Sequence, residues 1–355
     1  MSALERFSKQ NLELFRQKAD PLADKVIEAY FPLKRQLLSD QLEAIQTNAD
    51  SLANEVDPAL KALHQDIQTK ASAMPVDDLR KGQAFFNQHA SDVMLLLGLL
   101  SLPYCYAAAN GAEVLIRSRR ILEEPEKRLL ETAEFVFDVL NRNAFEPKGK
   151  GLVAVLKVRL MHAAARWYVK KDESWNEGDL GQPVNQEDMA GTNLAFSLIV
   201  TRGLKRLGKS ISNEEALSYI LYWNEIGGLL GVEEQLLPTT NKGAYVLERN
   251  IRERQFMKSE SGSRLTKSLL NYFEKATLDS PLQGQSTSFV AYLLGEKVSE
   301  ILGVENTRFD AAIFQPYKFF YKIQNVLTLK NDSYSRALVQ FRLARQGSEN
   351  QNPDA

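Results

Sequence analysis

Cysteine and histidine are scarce in this chain. Cys105 is the one cysteine in 355 residues, so neither an intrachain disulfide nor a thiolate cluster is available. It lies in an apolar run, where a free cysteine ordinarily serves as a small buried hydrophobe. Histidine occurs three times, as His64, His89 and His162, too few for a polyhistidine metal site. No histidine stands three residues after a glutamate, which removes the Glu-x-x-His pairs of di-iron bundles. A His-Glu-x-x-His zinc signature and a Gly-x-Ser-x-Gly nucleophile elbow are missing as well.

Excess charge of one sign is also lacking. Lys and Arg total 44, Asp and Glu 45, for a net charge of −1. Binding to phosphate backbones or anionic membranes draws on clustered positive charge, which this balance does not supply, so no nucleic-acid partner is expected. Nor is there a long hydrophobic run. The longest, Val93 to Ala109, falls short of the ~20 residues that cross a bilayer, and Pro103 interrupts it. A buried helix is expected there, and no stable membrane span. The first thirty residues carry Glu5, Arg6, Lys9, Glu13, Arg16 and Lys18 without the apolar core of a secretory signal, so the expected location is cytoplasmic.

What is present is a folded-protein composition, 44% hydrophobic and 25% charged, patterned almost throughout at helical spacing. Residues 33–72 carry a sparse apolar stripe, predicted as an outer helix or hairpin that Pro75 breaks. A helical run from Asp77 takes in the apolar segment before Asn110. Residues 126–141 read as a helix with Pro125 in its opening turn. Leu152 to Val169 is apolar on several sides and is predicted as a central helix. Ser212 and Glu215 form a capping-box signature, and Gly227-Gly228 ends or bends the helix it starts. Further helices are predicted at 263–277, 287–302 and 334–345. Phe196 to Thr201 has strand propensity but sits between helical patterns. The fold class is all-α, with one large helical domain over 1–345 and a disordered polar tail at 346–355.

Two nucleotide-binding patterns match letter by letter. Gly149-Lys150-Gly151-Leu152-Val153-Ala154 fits the dinucleotide pattern but follows no strand. Gly203-Leu204-Lys205-Arg206-Leu207-Gly208-Lys209-Ser210 fits the P-loop. A true P-loop starts its helix at the Lys-Ser step, whereas here Ser212 and Glu215 signal the start two residues later. Helix–glycine–helix is the expectation, with a nucleotide hydrolase as an alternative.

The chemistry-bearing constellation is Arg159-Leu160-Met161-His162-Ala163-Ala164-Ala165-Arg166-Trp167. On a helix, Arg159, His162 and Arg166 project within an arc of roughly 60°. Two arginines beside a histidine in an apolar helix demand partners. A haem would supply them, with the imidazole on iron, the alanines leaving room for the macrocycle and the arginines paired with propionates. The competing reading is a core histidine flanked by arginines turned to carboxylates of other helices.

The segment Val158 to Arg166, followed by Gln182-Pro183-Val184-Asn185-Gln186-Glu187-Asp188-Met189-Ala190-Gly191-Thr192, resembles the oxygenase family of latex-clearing protein and the mycophenolic-acid-pathway oxygenase. The resemblance continues through Arg128 to Thr132, Leu204 to Gly208, Trp223 and Leu229 to Val232, over roughly residues 80–240. It implies an all-α fold with a globin-like core and extra N- and C-terminal helices. It also implies one haem b, His162 as the iron ligand, and O2 chemistry on an unsaturated hydrophobic substrate. By the same resemblance Arg159, Arg166 and Thr192 line the cofactor, Arg128 and Thr132 belong to the reaction pocket, and Glu113 corresponds to a catalytic base if a one-residue shift is allowed. Glu131 departs from the pattern, standing where rubber oxygenase has a lysine that can cap the iron. That relative is exported, whereas no export signal is read here, so a small isoprenoid- or lipid-like molecule is the expected substrate. Two further alternatives remain: a haem- or gas-binding protein without turnover, and a helical interaction module without cofactor.

Overall fold

The structure is a computed structural model, and it describes residues 3–53, 55–117, 125–276, 284–305 and 333–351. The elements among these residues are helices; β pairing is confined to an isolated antiparallel bridge between Ala108 and Phe256. Beside three short helices, the chain forms α1 (Lys9–Arg16), α2 (Pro21–Tyr30), α3 (Pro58–Ser72), α4 (Val76–Leu96), α5 (Leu102–Tyr106) and α6 (Ala109–Arg117). Then come α7 (Pro125–Leu140), α8 (Gly151–Val169), α9 (Gln186–Phe196), α10 (Leu198–Arg206) and α11 (Asn213–Leu229). The remainder are α12 (Asn241–Gln255), α13 (Glu260–Ala276), α14 (Ser286–Leu294), α15 (Glu296–Leu302) and α16 (Ser333–Gln351).

Local sequence accounts for most of these boundaries. Asp20 and Asp57 cap α2 and α3, each followed by a proline whose fixed φ suits the first turn. Asn185 caps α9, and Glu187 and Asp188 lie in its first turn, where the helix dipole favours negative charge. Ser212 and Glu215 close both bonds of the capping box that starts α11. Gly295 and Gly303, both at positive φ, bound α15. Five residues of π-helix, Leu97–Ser101, join α4 to α5, so the apolar run passes Pro103 without leaving the helical path.

Several expectations shift on contact with the structure. Phe196 to Thr201 is helical apart from a break at Ser197 (φ −112, ψ −80), because the segment is enclosed by helices and has no strand to pair with. Of the outer helix or hairpin expected over 33–72, the structure has two helices, Arg35–Glu43 and α3, with a loop between them. α11 ends at Leu229, one residue past Gly227-Gly228, and a Cβ on Gly227 would sit 3.1 Å from the Asn193 side chain. Six residues of the expected tail, 346–351, are helix; 352–355 lie outside the described residues.

The central layer is α4 against α11, with α16 on its flank, while α2, α3 and α7 pack around α8. α13 crosses α5 and α6, and α9 bridges α11, α1 and α12. One cluster of buried side chains runs from Ala23 on α2 to Ala337 on α16. Gly82 on α4 permits the closest approach in the central layer: an added Cβ would lie 2.3 Å from Tyr222 Cβ. Among the described residues no helix is long and apolar enough to cross a membrane.

Both nucleotide patterns are structural. Gly203 lies inside α10, where a Cβ would come within 2.7 Å of Leu96 and Leu100; Gly208 (φ +79) ends the following turn. Lys209 pairs with Asp92 at 2.8 Å. The P-loop letters therefore spell a tight helix crossing and a C-cap. At Gly149 a Cβ would meet the Asn143 carbonyl at 2.1 Å, so that glycine serves a tight turn entering α8.

Candidate functional site

His162 lies midway along α8, the helix wrapped by α2, α3 and α7. Its Nδ1 is sealed from solvent and has no hydrogen-bond partner; Nε2 makes no hydrogen bond either but is not among the sealed atoms. Burial, reinforced by the Arg166 charge, pulls its pKa down to about 4, against the weaker opposing pull of Asp20. The ring is thus neutral at pH 7, with a free lone pair at the border of accessible space. Such an imidazole can serve as one ligand to a metal that brings its remaining ligands with it. Among the described residues no group of three or more His, Cys, Asp and Glu could hold a metal ion by itself.

The two flanking arginines behave differently. Arg159 is buried and its guanidinium is consumed by protein: Nε and Nη2 donate to Asp20 at 2.6 and 3.0 Å, and Nη1 to Asp66 at 2.6 Å and the Leu229 carbonyl at 3.3 Å. Those bonds are what the competing reading of the sequence expects, arginine turned to carboxylates of other helices. Carboxylates on α2 and α3 already occupy its donors, and it locks α8 to those helices. Arg166 is only partly satisfied. Its Nε donates to Asp24 at 2.6 Å and its Nη1 to the Val184 carbonyl at 3.3 Å, while Nη2 is buried without an acceptor. Burial keeps Asp24 above the usual carboxylate range despite that contact.

Val184, which receives Arg166, is the one non-glycine described at positive φ (+50). A β-branched residue is strained there, and such strain tends to gather where surroundings fix a functional geometry. The segment around it is heavily anchored. The Gln186 side chain donates to the Ala19 and Gly231 carbonyls at 2.9 Å each and accepts from the Glu233 N–H at 2.8 Å. Glu187, fully buried, binds Arg254 at 2.8 Å and Gln255 at 3.0 Å, with Arg16 at 3.5 Å. The Gln182–Thr192 motif is thus the clamp that joins α1, α9, α12 and the loop after α11.

α7 packs along α8 and brings Arg128 to the neighbourhood of His162. The Arg128 Nη1 donates to Glu131 Oε2 at 2.6 Å and lies 3.4 Å from the Met161 sulfur. Glu131 is therefore held by Arg128 on the same helix. The Thr132 hydroxyl donates to the Arg128 carbonyl at 2.8 Å, leaving its oxygen lone pairs open. Thr192 sits on α9 with its hydroxyl bonded back to the Asp188 carbonyl at 2.9 Å, beside Cys105, whose thiol burial pushes up to about 12. Asp188, one turn before Thr192, is raised to about 6 by burial against the partial relief of Arg16. Glu113, on α6, accepts from the Ser261 hydroxyl and lies 3.7 Å from Arg117 Nε.

The structure thus gathers His162, Arg166 and Arg128 in one neighbourhood. No direct contact ties Thr192 or Glu113 to His162. Sequence reasoning missed Asp20, Asp24 and Asp66 as the arginines' partners. Asp20-Pro21 is visible as a helix start, but a pairing 139 residues away in sequence leaves no local trace.

Comparison with known proteins bears on the same residues. Residues 87–322 match the family model described as "ER-bound oxygenase mpaB/B'/Rubber oxygenase, catalytic domain". That match reaches some way beyond the 80–240 resemblance read from the sequence. A curated relative, the "Rubber oxygenase" of Streptomyces sp. (strain K30), is 28% identical over 181 residues, covering 50% of this chain and 44% of that protein. The alignment thus spans less than half the length of that relative. The solved structure titled "Structure of Latex Clearing Protein LCP in the closed state" superposes with a TM-score of 0.73 at 22% identity, over 92% of this chain and 91% of that one. At that identity the likeness establishes a shared all-helical fold. With two thirds of its length matched by the family model, the chain belongs to the mpaB/rubber-oxygenase catalytic-domain family of oxygenases.

Proposed function

We propose that the protein is a haem-b-dependent oxygenase that uses O2 on an unsaturated hydrophobic substrate of isoprenoid- or lipid-like character. The observation that carries this reading is His162: a neutral, half-buried imidazole with neither nitrogen hydrogen-bonded, one of them open to space, on a helix of a chain that belongs to an oxygenase family. A porphyrin provides four nitrogens of its own, so a single protein ligand suffices and no side-chain metal cluster is needed.

The residues fit the group. His162 would donate its lone pair to the iron, and the iron would supply O2 binding and activation. Arg166 retains a buried N–H with no acceptor, suited to a propionate carboxylate, and Asp24 and Val184 fix its orientation. Arg159, with its donors taken, serves as the positioning residue that sets α8 against α2 and α3. Arg128 and Thr132, one turn apart on α7, would face the reacting side, with the Thr132 oxygen free to accept a hydrogen bond. Glu113 would take an allylic proton from the substrate, its carboxylate oriented by Ser261 and Arg117. Thr192 would border the cofactor from α9. Glu131, where rubber oxygenase has a lysine, is held by Arg128 on the same helix.

The test is optical. The purified protein should show a Soret band, and His162→Ala should lose most of it while the far-ultraviolet helical signal is retained. Full haem occupancy in that variant would move the iron ligand elsewhere and overturn the assignment. Oxygen uptake with short isoprenoid alkenes then separates an oxygenase from a protein that binds haem or gas without turnover.

A further inference from the structure

Two aspartate–arginine pairs of unequal geometry join α2 to α8. Asp20 and Arg159 meet as a fork, with Nε and Nη2 donating to the two carboxylate oxygens at 2.6 and 3.0 Å. Asp24 and Arg166 are held by a single bond, from Nε to Oδ1 at 2.6 Å. The second prong is missing. Arg166 Nη2 is buried with no acceptor, and Asp24 Oδ2 accepts no hydrogen bond from the described residues and is not among the sealed atoms. The fork is the favoured geometry for such a pair, so a guanidinium only 2% exposed that forgoes it keeps an N–H in reserve for another acceptor.

The surroundings of Asp24 oppose its charge. Burial raises its carboxyl above the ordinary range, against the pull of Arg166; Asp20 pushes the same way as burial, and Lys170 on α8 pulls against it. Lys170 is itself drawn to Glu177, at 3.5 Å. The other elements packed on α2 turn their charges elsewhere. Asp66 on α3 faces Arg159 and Lys70, and Arg35 of the helix Arg35–Glu43 is directed to Phe31 and Tyr168. Arg166 is therefore the main charge partner of Asp24. A second carboxylate at that guanidinium leaves two anions sharing one cation in surroundings that already resist one.

We propose that Asp24 is the proton-holding residue of the cofactor site: when a carboxylate of the bound group docks on Arg166 Nη2, one proton from solution is taken onto Asp24. The inference rests on the haem reading above and deepens it, since it gives Asp24 a task once Arg166 has a second anion. Charge balances without any redox change. Arg166 pairs with the cofactor carboxylate, and neutral Asp24 keeps Oδ1 as the acceptor for Nε. Linkage fixes the sign. Asp24 holds its proton to higher pH with that carboxylate present than without it, so retention of the cofactor falls as pH rises between the two limits. His162 acts in the opposite sense and in a different range, because its ring stays neutral down to about 4 and its bond to iron would suffer only below that.

Transfer of haem from the full chain to excess apomyoglobin tests it, followed at the Soret band between about pH 6.5 and 8.5 at fixed ionic strength. Haem loss from the wild type should speed up at least about threefold toward the alkaline end. Asp24→Asn removes the competing charge and leaves an oxygen for Arg166 Nε, so its loss rate should stay at the slow value across the range. A second readout needs no variant. Calorimetry of haem loading in buffers of different ionisation enthalpy should register uptake of up to about one proton by the wild type, and less by Asp24→Asn. Haem loss that ignores pH, a wild-type slope kept in Asp24→Asn, or loading without proton uptake would each overturn the proposal and leave His162 as the iron ligand. A wild type that takes up no haem at any pH would overturn the haem reading itself, and this inference with it.

Discussion

Removing Asp20 is expected to destabilise the protein by about 3–5 kcal/mol, the cost of breaking a buried ion pair by deleting one partner. Arg159 and Asp20 side chains are 3% and 4% exposed and meet through bonds of 2.6 and 3.0 Å. Asp20→Ala leaves a buried guanidinium with Asp66 and one carbonyl, so the lower half of that range applies. Asp20 also caps α2 through a long 3.4 Å bond from Ala23, whose loss adds no more than about 1 kcal/mol. Arg159→Met alone strands the Asp20 carboxylate and should cost a similar amount. The double variant Asp20→Ala/Arg159→Met removes both charges together, so its destabilisation should fall short of the sum by at least ~2 kcal/mol. Urea unfolding followed by far-ultraviolet circular dichroism gives the three free energies. On the proposed haem reading, occupancy should fall in Asp20→Ala alongside stability, because the pair holds α8 against α2. Additive single effects, or an Asp20→Ala loss below ~1 kcal/mol, would refute the assignment of Arg159 as the clamp of that helix.

Other perturbations have equally definite outcomes. Asp188 has a pKa raised to about 6 in the folded chain, so folding takes up a proton between the ordinary carboxylate value and 6, and stability should fall as pH rises through that window. Asp188→Asn should flatten that slope in thermal melts taken from pH 4 to 7; an unchanged slope would place the titration elsewhere. Gly82→Ala drives a methyl against Tyr222 Cβ and should cost ~2–3 kcal/mol, visible as a lowered melting temperature, because backbone must move to admit it. Lys209→Ala, which removes an exposed contact to Asp92, should change stability by less than ~1 kcal/mol and leave oxygen consumption unaltered. A large activity loss there would revive a nucleotide role for the Gly203–Ser210 segment.

How far the sequence could be read differs from element to element. Periodicity and caps placed α7 and α8 within a residue of their observed limits, and the Ser212–Glu215 capping box formed as read. These are local signals, carried by residues three or four apart. Helix–glycine–helix over Gly203–Ser210 formed as expected, but the reason for Gly203 was not local: it serves contact with Leu96 and Leu100, residues more than a hundred positions away. Gln186 and Glu187 were legible as part of a family motif, yet their task of tying Lys18–Ala19, Gly231–Glu233 and Arg254 together was not.

By itself the sequence determined the helical class, the helix that bears His162 and the family to which that helix belongs. It did so because periodicity, capping and motif spacing are properties of neighbouring residues. Tertiary structure alone decided what the charges do. It spent Arg159 on Asp20 and Asp66, left Arg166 with a free buried N–H, stripped His162 of partners, and brought Arg35 to the Tyr168 hydroxyl. Whether a buried cation is a clamp or a ligand-binding group depends on which carboxylates the fold brings within 3 Å, and no local pattern encodes a distance across 139 residues.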